Sequence, residues 1–204
     1  MSTFTRRLLI GSAFACAALA SGVAGADTKA TTQSAKIEQL LSKQEITELL
    51  YKYPRALDRL DRDLLLSIAH PEAKVTFGKN VFPNWGAYTD FMMKAHGAML
   101  GNNHRISNIL IEVGGDKAVS ESTGTATLLV KKENGEDVYE ERWMHSRYLD
   151  TWSRRNGKWA LDNRVTLTDY RRVLDVPGEL VRNRYEVGAR SGRDDPSYQL
   201  FGKP

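Results

Sequence analysis

Residues 45–61 read EITELLYKYPRALDRLD, and the fold turns on how this stretch is interpreted. Its apolar side chains Ile46, Leu49, Leu50, Tyr53, Leu57 and Leu60 recur three and four positions apart, the spacing that lines one face of an α-helix. Ile37, Leu40 and Leu41 extend the same stripe backwards. The spacing therefore predicts an amphipathic helix from Ile37 to near Leu60, followed by a second short helix over Asp61–Ala69. Pro54 removes one backbone donor and crowds the carbonyl four residues back, so a kink is expected near Leu50. His70-Pro71 ends the helical pair, because the residue before a proline avoids the helical region.

Beyond the helices, Lys74–Gly78 has the pattern of a short strand, and Trp85, Tyr88, Phe91, Met92, Ala95 and Met99 restore a helical period over Asn84–Leu100. The character then changes. Asn103–Val113, Lys117–Lys132, Val138–Trp152 and Lys158–Tyr170 are rich in Val, Ile, Thr, Tyr and Trp, as strands are. Gly114-Gly115-Asp116, Asn134-Gly135 and Asn156-Gly157 divide them, and an Asn-Gly pair is a strong hairpin signal. Helices first and a strand meander afterwards predict an α+β domain, a curved antiparallel sheet with N-terminal helices closing a cone-shaped pocket. Pockets of that kind hold small, mostly apolar ligands.

The chain has 204 residues, 41% hydrophobic and 26% charged, the profile of an ordinary globular protein with one core. A single cysteine excludes a disulfide framework. The N-terminus carries Arg6 and Arg7, then the apolar run Leu8–Ala20, then Ala24-Gly25-Ala26 as a small-residue cleavage site. That run is shorter than the roughly 20 residues a spanning helix needs, so residues 1–26 are expected to be a signal peptide, with Thr5-Arg6-Arg7-Leu8-Leu9-Ile10 resembling a twin-arginine leader. Export to the periplasm follows, with no stable membrane insertion after cleavage. Without Arg6 and Arg7 the formal charge falls from +4 to +2, and the only cysteine, Cys16, is lost as well. A near-neutral chain gives no reason to expect nucleic acid as a partner. Small polar residues over 27–35 are expected to form a flexible leader, 36–175 the domain, and the arginine-containing segment 176–204 a C-terminal tail that packs across a neighbouring subunit.

Glu45–Asp61 resembles the opening helix of SnoaL-like proteins of the nuclear-transport-factor-2-like superfamily. Ala69–Ala73, His104–Asn108 and Arg147–Trp159 agree in order and spacing, so the resemblance spans roughly residues 40–170. Scytalone dehydratase, hexachlorocyclohexane dehydrochlorinase and bile-acid 7α-dehydratase are similar cofactor-free lyases of this superfamily, and lyases that release formaldehyde from lignin-derived diarylpropane diols resemble it as well. They imply an Asp near the end of the first helix and a His on the strand after the third helix; Asp58 and His104 stand at those positions. An active-site Tyr five residues before the Asp corresponds to Tyr53. The resemblance also implies a homodimer or homotrimer, a small hydrophobic substrate and no cofactor. It leaves open loss of water, loss of formaldehyde, isomerisation of an enone with Asp58 as proton carrier, and ligand binding without turnover.

The chemistry suits such a pair. Imidazole is both acid and base near neutral pH, and an Asp on one ring nitrogen fixes the tautomer and stabilises the imidazolium. Read alone, however, Asp58 beside Arg59 is a solvated helix end, and His104, alternating with Ile106, Asn108 and Leu110, is a packed core residue. Five helical positions separate Tyr53 from Asp58 by about 140°, so Tyr51, seven positions back, is the rival candidate. Asn108, Trp85, Trp143 and His145 complete the expected substrate contacts, with Trp143, His145 and Arg147 on one strand face and Tyr148 on the other. His96 is placed on the exposed edge of the third helix. The four histidines, at 70, 96, 104 and 145, lack metal-ligand spacing.

Overall fold

A computed structural model describes residues 20–188 and 195–201, with side chains from residue 32 onward. The expected leader up to residue 19, including Arg6, Arg7 and Cys16, lies outside the described residues. The chain divides into two units, Met1–Leu40 and Leu41–Pro204. Within the first, the described backbone is the beginning of α1 (Ala20–Asp58). Residues 27–35 have helical backbone within α1. Ala, Lys and Gln are good helix formers, and neither Gly nor Pro interrupts the chain between Gly25 and Pro54.

The second unit contains the rest of α1, then α2 (Arg62–Leu66), β1 (Ala69–Phe77), β2 (Asn80–Phe82), α3 (Trp85–Gly97), β3 (Gly101–Gly114), β4 (Lys117–Lys131), β5 (Val138–Arg155), β6 (Lys158–Pro177), α4 (Gly178–Arg184) and α5 (Ser197–Phe201). Local chemistry sets the boundaries. Asp61 caps α2 by accepting from the Leu64 N–H, and Asn84 caps α3 by accepting from that of Ala87. Asn156 and Gly157 both take positive φ, the geometry of the two-residue turn that joins twisted strands, so β5 and β6 form one hairpin.

The sheet is curved, with strand order β2-β1-β6-β5-β4-β3. β3 to β6 form the expected antiparallel meander, but β1 pairs with β6 in parallel. The sheet is thus mixed: the chain crosses from α2 into β1 alongside the last strand, with Ala69 opposite Leu161. Strands of 18 and 20 residues must bend, and β5 and β6 do so at register shifts after His145 and Thr151.

Ile46, Leu50, Tyr53 and Leu57 of α1, Leu65 of α2, and Trp85 and Tyr88 of α3 pack with Tyr148 and Trp152 of β5 and Leu161 of β6 in one core. Gly124 is a close-approach position, since a Cβ there would lie 2.3 Å from the Tyr148 ring. A smaller cluster of Leu129, Val176 and Val181 holds α4. Val176 and Val181 thus pack against Leu129 of β4. Asp195 reaches Arg59, Tyr198 donates to Asp61, and Arg55 lies over the Tyr198 and Phe201 rings.

Candidate active site

Asp58 is the last residue of α1, at the negative end of the helix dipole, where a carboxylate is locally unfavourable. His104 compensates it. The His104 ring lies with Nδ1 2.7 Å from Asp58 Oδ1, and its backbone N–H donates to Oδ2 at 2.9 Å. Both side chains are about nine-tenths buried, 9% exposed for His104 and 10% for Asp58. Asn102, two residues before His104, donates to the Leu57 carbonyl at 3.2 Å and ties β3 to the last turn of α1. Two charge-assisted bonds and this strut fix the imidazole with Nε2 directed away from the carboxylate.

His96 was expected on an exposed helix edge, yet it is 4% exposed. The stripe Trp85, Tyr88, Thr89, Met92, His96 is the buried face of α3, and it brings His96 Nε2 to 3.3 Å from His104 Nε2. A polar residue in an apolar period is easily assigned to the outside. The signal that could have placed it correctly is its spacing of four from Met92 and eight from Tyr88.

Tyr53 is buried and Tyr51 is 54% exposed. The Tyr53 hydroxyl is 2.5 Å from that of Tyr88, and its ring meets Tyr148 edge-on at 5.6 Å. Arg164 lies over both rings, at 4.3 Å from Tyr53 and 4.4 Å from Tyr148, and binds Asp150 through two bonds of 2.8 and 2.7 Å. Burial opposes the charge on Arg164, but Asp150 outweighs it and holds the guanidinium above its ordinary range. Burial pushes the phenols of Tyr53, Tyr88 and Tyr148 well above their usual value, so all three remain hydrogen-bond donors at physiological pH. Among the described residues, Arg164 Nη1, Ser122 Oγ and Thr89 Oγ1 are buried without a hydrogen-bond partner. Sequence reading missed Arg164, Asp150 and Tyr88, because nothing local separates a buried arginine on a strand from a surface one.

The remaining expected contacts are elsewhere. Asn108 takes a positive φ at a register shift between Ser107 and Leu110, and this extra residue moves it and Leu110 off the face of His104 and Ile106. Asn108 and Tyr51 instead line a groove of about 530 Å³ with Lys43, Thr47 and Ile109. Trp85 is wholly buried and donates to the Leu65 carbonyl, a core role. The buried face of β5 is Ser146, Tyr148, Asp150 and Trp152, so Trp143 and His145 stand on the opposite face, where His145 meets the Tyr170 ring. Among the described residues no group of three or more His, Cys, Asp or Glu is placed to hold a metal ion, and no helix is long and apolar enough to cross a membrane.

Residues 38–165, more than half the chain, match the profile of the SnoaL-like domain. The chain belongs to the SnoaL-like family. This SnoaL-like protein shares its fold with members of the nuclear-transport-factor-2-like superfamily. A type 2 hexachlorocyclohexane dehydrochlorinase is similar at a TM-score of 0.60 and 20% identity, covering 66% of this chain and 90% of that one. A proposed scytalone dehydratase from Novosphingobium aromaticivorans is similar at 0.57 and 20% identity, over 76% and 95%. A type 3 hexachlorocyclohexane dehydrochlorinase from Novosphingobium barchaimii is similar at 0.59 and 19% identity, over 66% and 91%. No curated protein matches the sequence closely enough to count as a relative.

Proposed function

We propose that this SnoaL-like protein is an exported lyase that works without a cofactor on a hydrophobic multi-ring alcohol, such as a hydroxysteroid or a lignin-derived diaryl diol. The observation that carries the reading is the Asp58–His104 pair, in which both carboxylate oxygens accept from His104 and leave Nε2 as the reactive nitrogen. In elimination, Nε2 exchanges protons with the departing oxygen and with the neighbouring carbon, and Asp58 stabilises the imidazolium. Tyr53, hydrogen-bonded to Tyr88 beneath Arg164, is the donor best suited to a substrate oxygen. The dehydratase and dehydrochlorinase names of the similar structures point to the same reaction class. An isomerase in which Asp58 carries the proton is less well supported, because both of its oxygens are taken by His104.

The test is product analysis by mass spectrometry after incubation with a panel of hydroxysteroids and diaryl diols. Turnover is expected to show loss of water or formaldehyde, and His104→Ala and Asp58→Asn each to lower kcat by about 10²–10⁴-fold. Substrate binding without conversion across the panel favours a ligand-binding module instead. Conversion unaffected by either substitution overturns the pair. Export by the twin-arginine route is part of this proposal; the periplasmic protein is expected to begin at Asp27. Size-exclusion chromatography with light scattering tests the expected homodimer or homotrimer.

A further inference from the structure

α1 ends in two hydrogen-bond acceptors on consecutive residues, the Leu57 carbonyl and the Asp58 carboxylate, and β3 meets them with Asn102 and His104. Asn102, His104 and Ile106 are half-buried and alternate with the exposed Asn103 and Arg105. The three therefore share the face of β3 on which Ile106 packs against the core. A carbonyl oxygen can only accept, so the atom of Asn102 that lies 3.2 Å from the Leu57 oxygen is the amide nitrogen. An amide turned the other way would set two acceptors against each other. The position of the amide oxygen is thereby fixed as well. Asn102 Oδ1 is buried, and among the described residues nothing donates to it. A buried acceptor without a donor is destabilising, so an orphan two residues from His104 calls for a donor supplied by a ligand.

We propose that Asn102 is a specificity-determining residue whose Oδ1 accepts the O–H of a substrate hydroxyl that is retained, while His104 Nε2 acts on the hydroxyl that leaves. The substrate class narrows to a diol, and that narrowing rests on the lyase reading. A hydroxyl satisfies the amide oxygen, whereas a halide, an ether or a carbonyl brings no proton to it. Two residues along a strand span about 7 Å, the reach of hydroxyls on adjacent or next-but-one carbons with a hydrogen bond at each end. Of the two alcohol types proposed above, the diaryl diol always supplies the second hydroxyl. The nitrogen of the same amide is tied to the turn of α1 that carries Asp58, so the acceptor is held in place before substrate arrives. A site built in this way rejects an analogue that lacks the hydroxyl, because the buried oxygen is then left unpaired.

The experiment compares two probes, a diarylpropane diol and the matching diarylpropanol that lacks the second hydroxyl, on the full chain with Asn102 and with Asn102→Ala. Dissociation constants are read by isothermal titration calorimetry in the slow Asp58→Asn background, and kcat/KM in the wild-type background. The diol is expected to be favoured about ten- to hundredfold, and Asn102→Ala to bring that ratio close to one. Loss of the Leu57 strut weakens both probes alike, so a retained ratio in Asn102→Ala makes Asn102 a structural residue and overturns the proposal. A ratio near one with Asn102 present is the result if a water meets Oδ1 in both complexes. That result overturns the proposal even if the variant does not fold, and so does binding of neither probe. Preference for the diol without turnover supports the role of Asn102 and refutes the lyase reading alone, so the two failures are distinguishable.

Discussion

Two arginine–aspartate pairs bridge the same two strands, β5 and β6, on opposite faces of the sheet. Arg147 binds Asp169 through Nε at 2.8 Å and Nη2 at 3.1 Å, with side chains 39% and 43% exposed. Arg164 binds Asp150 with the same fork geometry at 2.8 and 2.7 Å, but both side chains are 0% exposed. The chemistry is equal and the consequences are not. Water replaces either partner of the outer pair, whereas each member of the inner pair is committed to the other. Only the inner pair can therefore hold an organised polar wall of tyrosines, and an interior arginine is costly enough to need a reason such as a site.

The largest expected effect breaks the inner pair. Arg164→Met leaves Asp150 as a buried uncompensated charge and is expected to cost about 3–5 kcal/mol in urea unfolding. The double variant Asp150→Leu/Arg164→Met removes both charges and is expected to recover much of that loss. No recovery means that Arg164 stabilises chiefly through the Tyr53 and Tyr148 rings. A smaller effect concerns the phenols. Their raised values mean that the folded chain keeps protons which the unfolded chain releases from about pH 10 upward. This contribution is complete below about pH 10 and lost as pH rises through the folded values, at up to ~1.4 kcal/mol per pH unit for each tyrosine. Tyr148→Phe is expected to flatten the fall in urea midpoint above about pH 10 by one tyrosine's share. The smallest effect is on the outer pair: Arg147→Ala is expected to leave the urea midpoint unchanged within measurement error, and a clear loss there removes the contrast between the faces.

The same two-faced geometry explains what could be read in advance. The first three helices and the four long strands were legible because apolar period and Asn-Gly turns act over a few residues. Asp58 and His104 were legible as a pair through family-like spacing, although they are 46 residues apart. His96 was not, since a histidine in an amphipathic helix is placed by what its neighbour on another element offers. Asn108 was misplaced because one inserted residue reverses every side chain after it. The helix-forming residues among 27–35 sustain α1, which their polarity alone did not indicate.

Sequence by itself determined where the first three helices give way to the long strands, and the resemblance it carries singled out Asp58 and His104. Those outcomes depend on local backbone preference and on residue identity. Tertiary structure alone decided which face of β5 is buried, the parallel docking of β1 on β6, and the contacts of Tyr53 with Tyr88 and of His96 with His104. Each of these is set by burial against a distant element, and a side chain's polarity does not say which neighbour will exclude water from it.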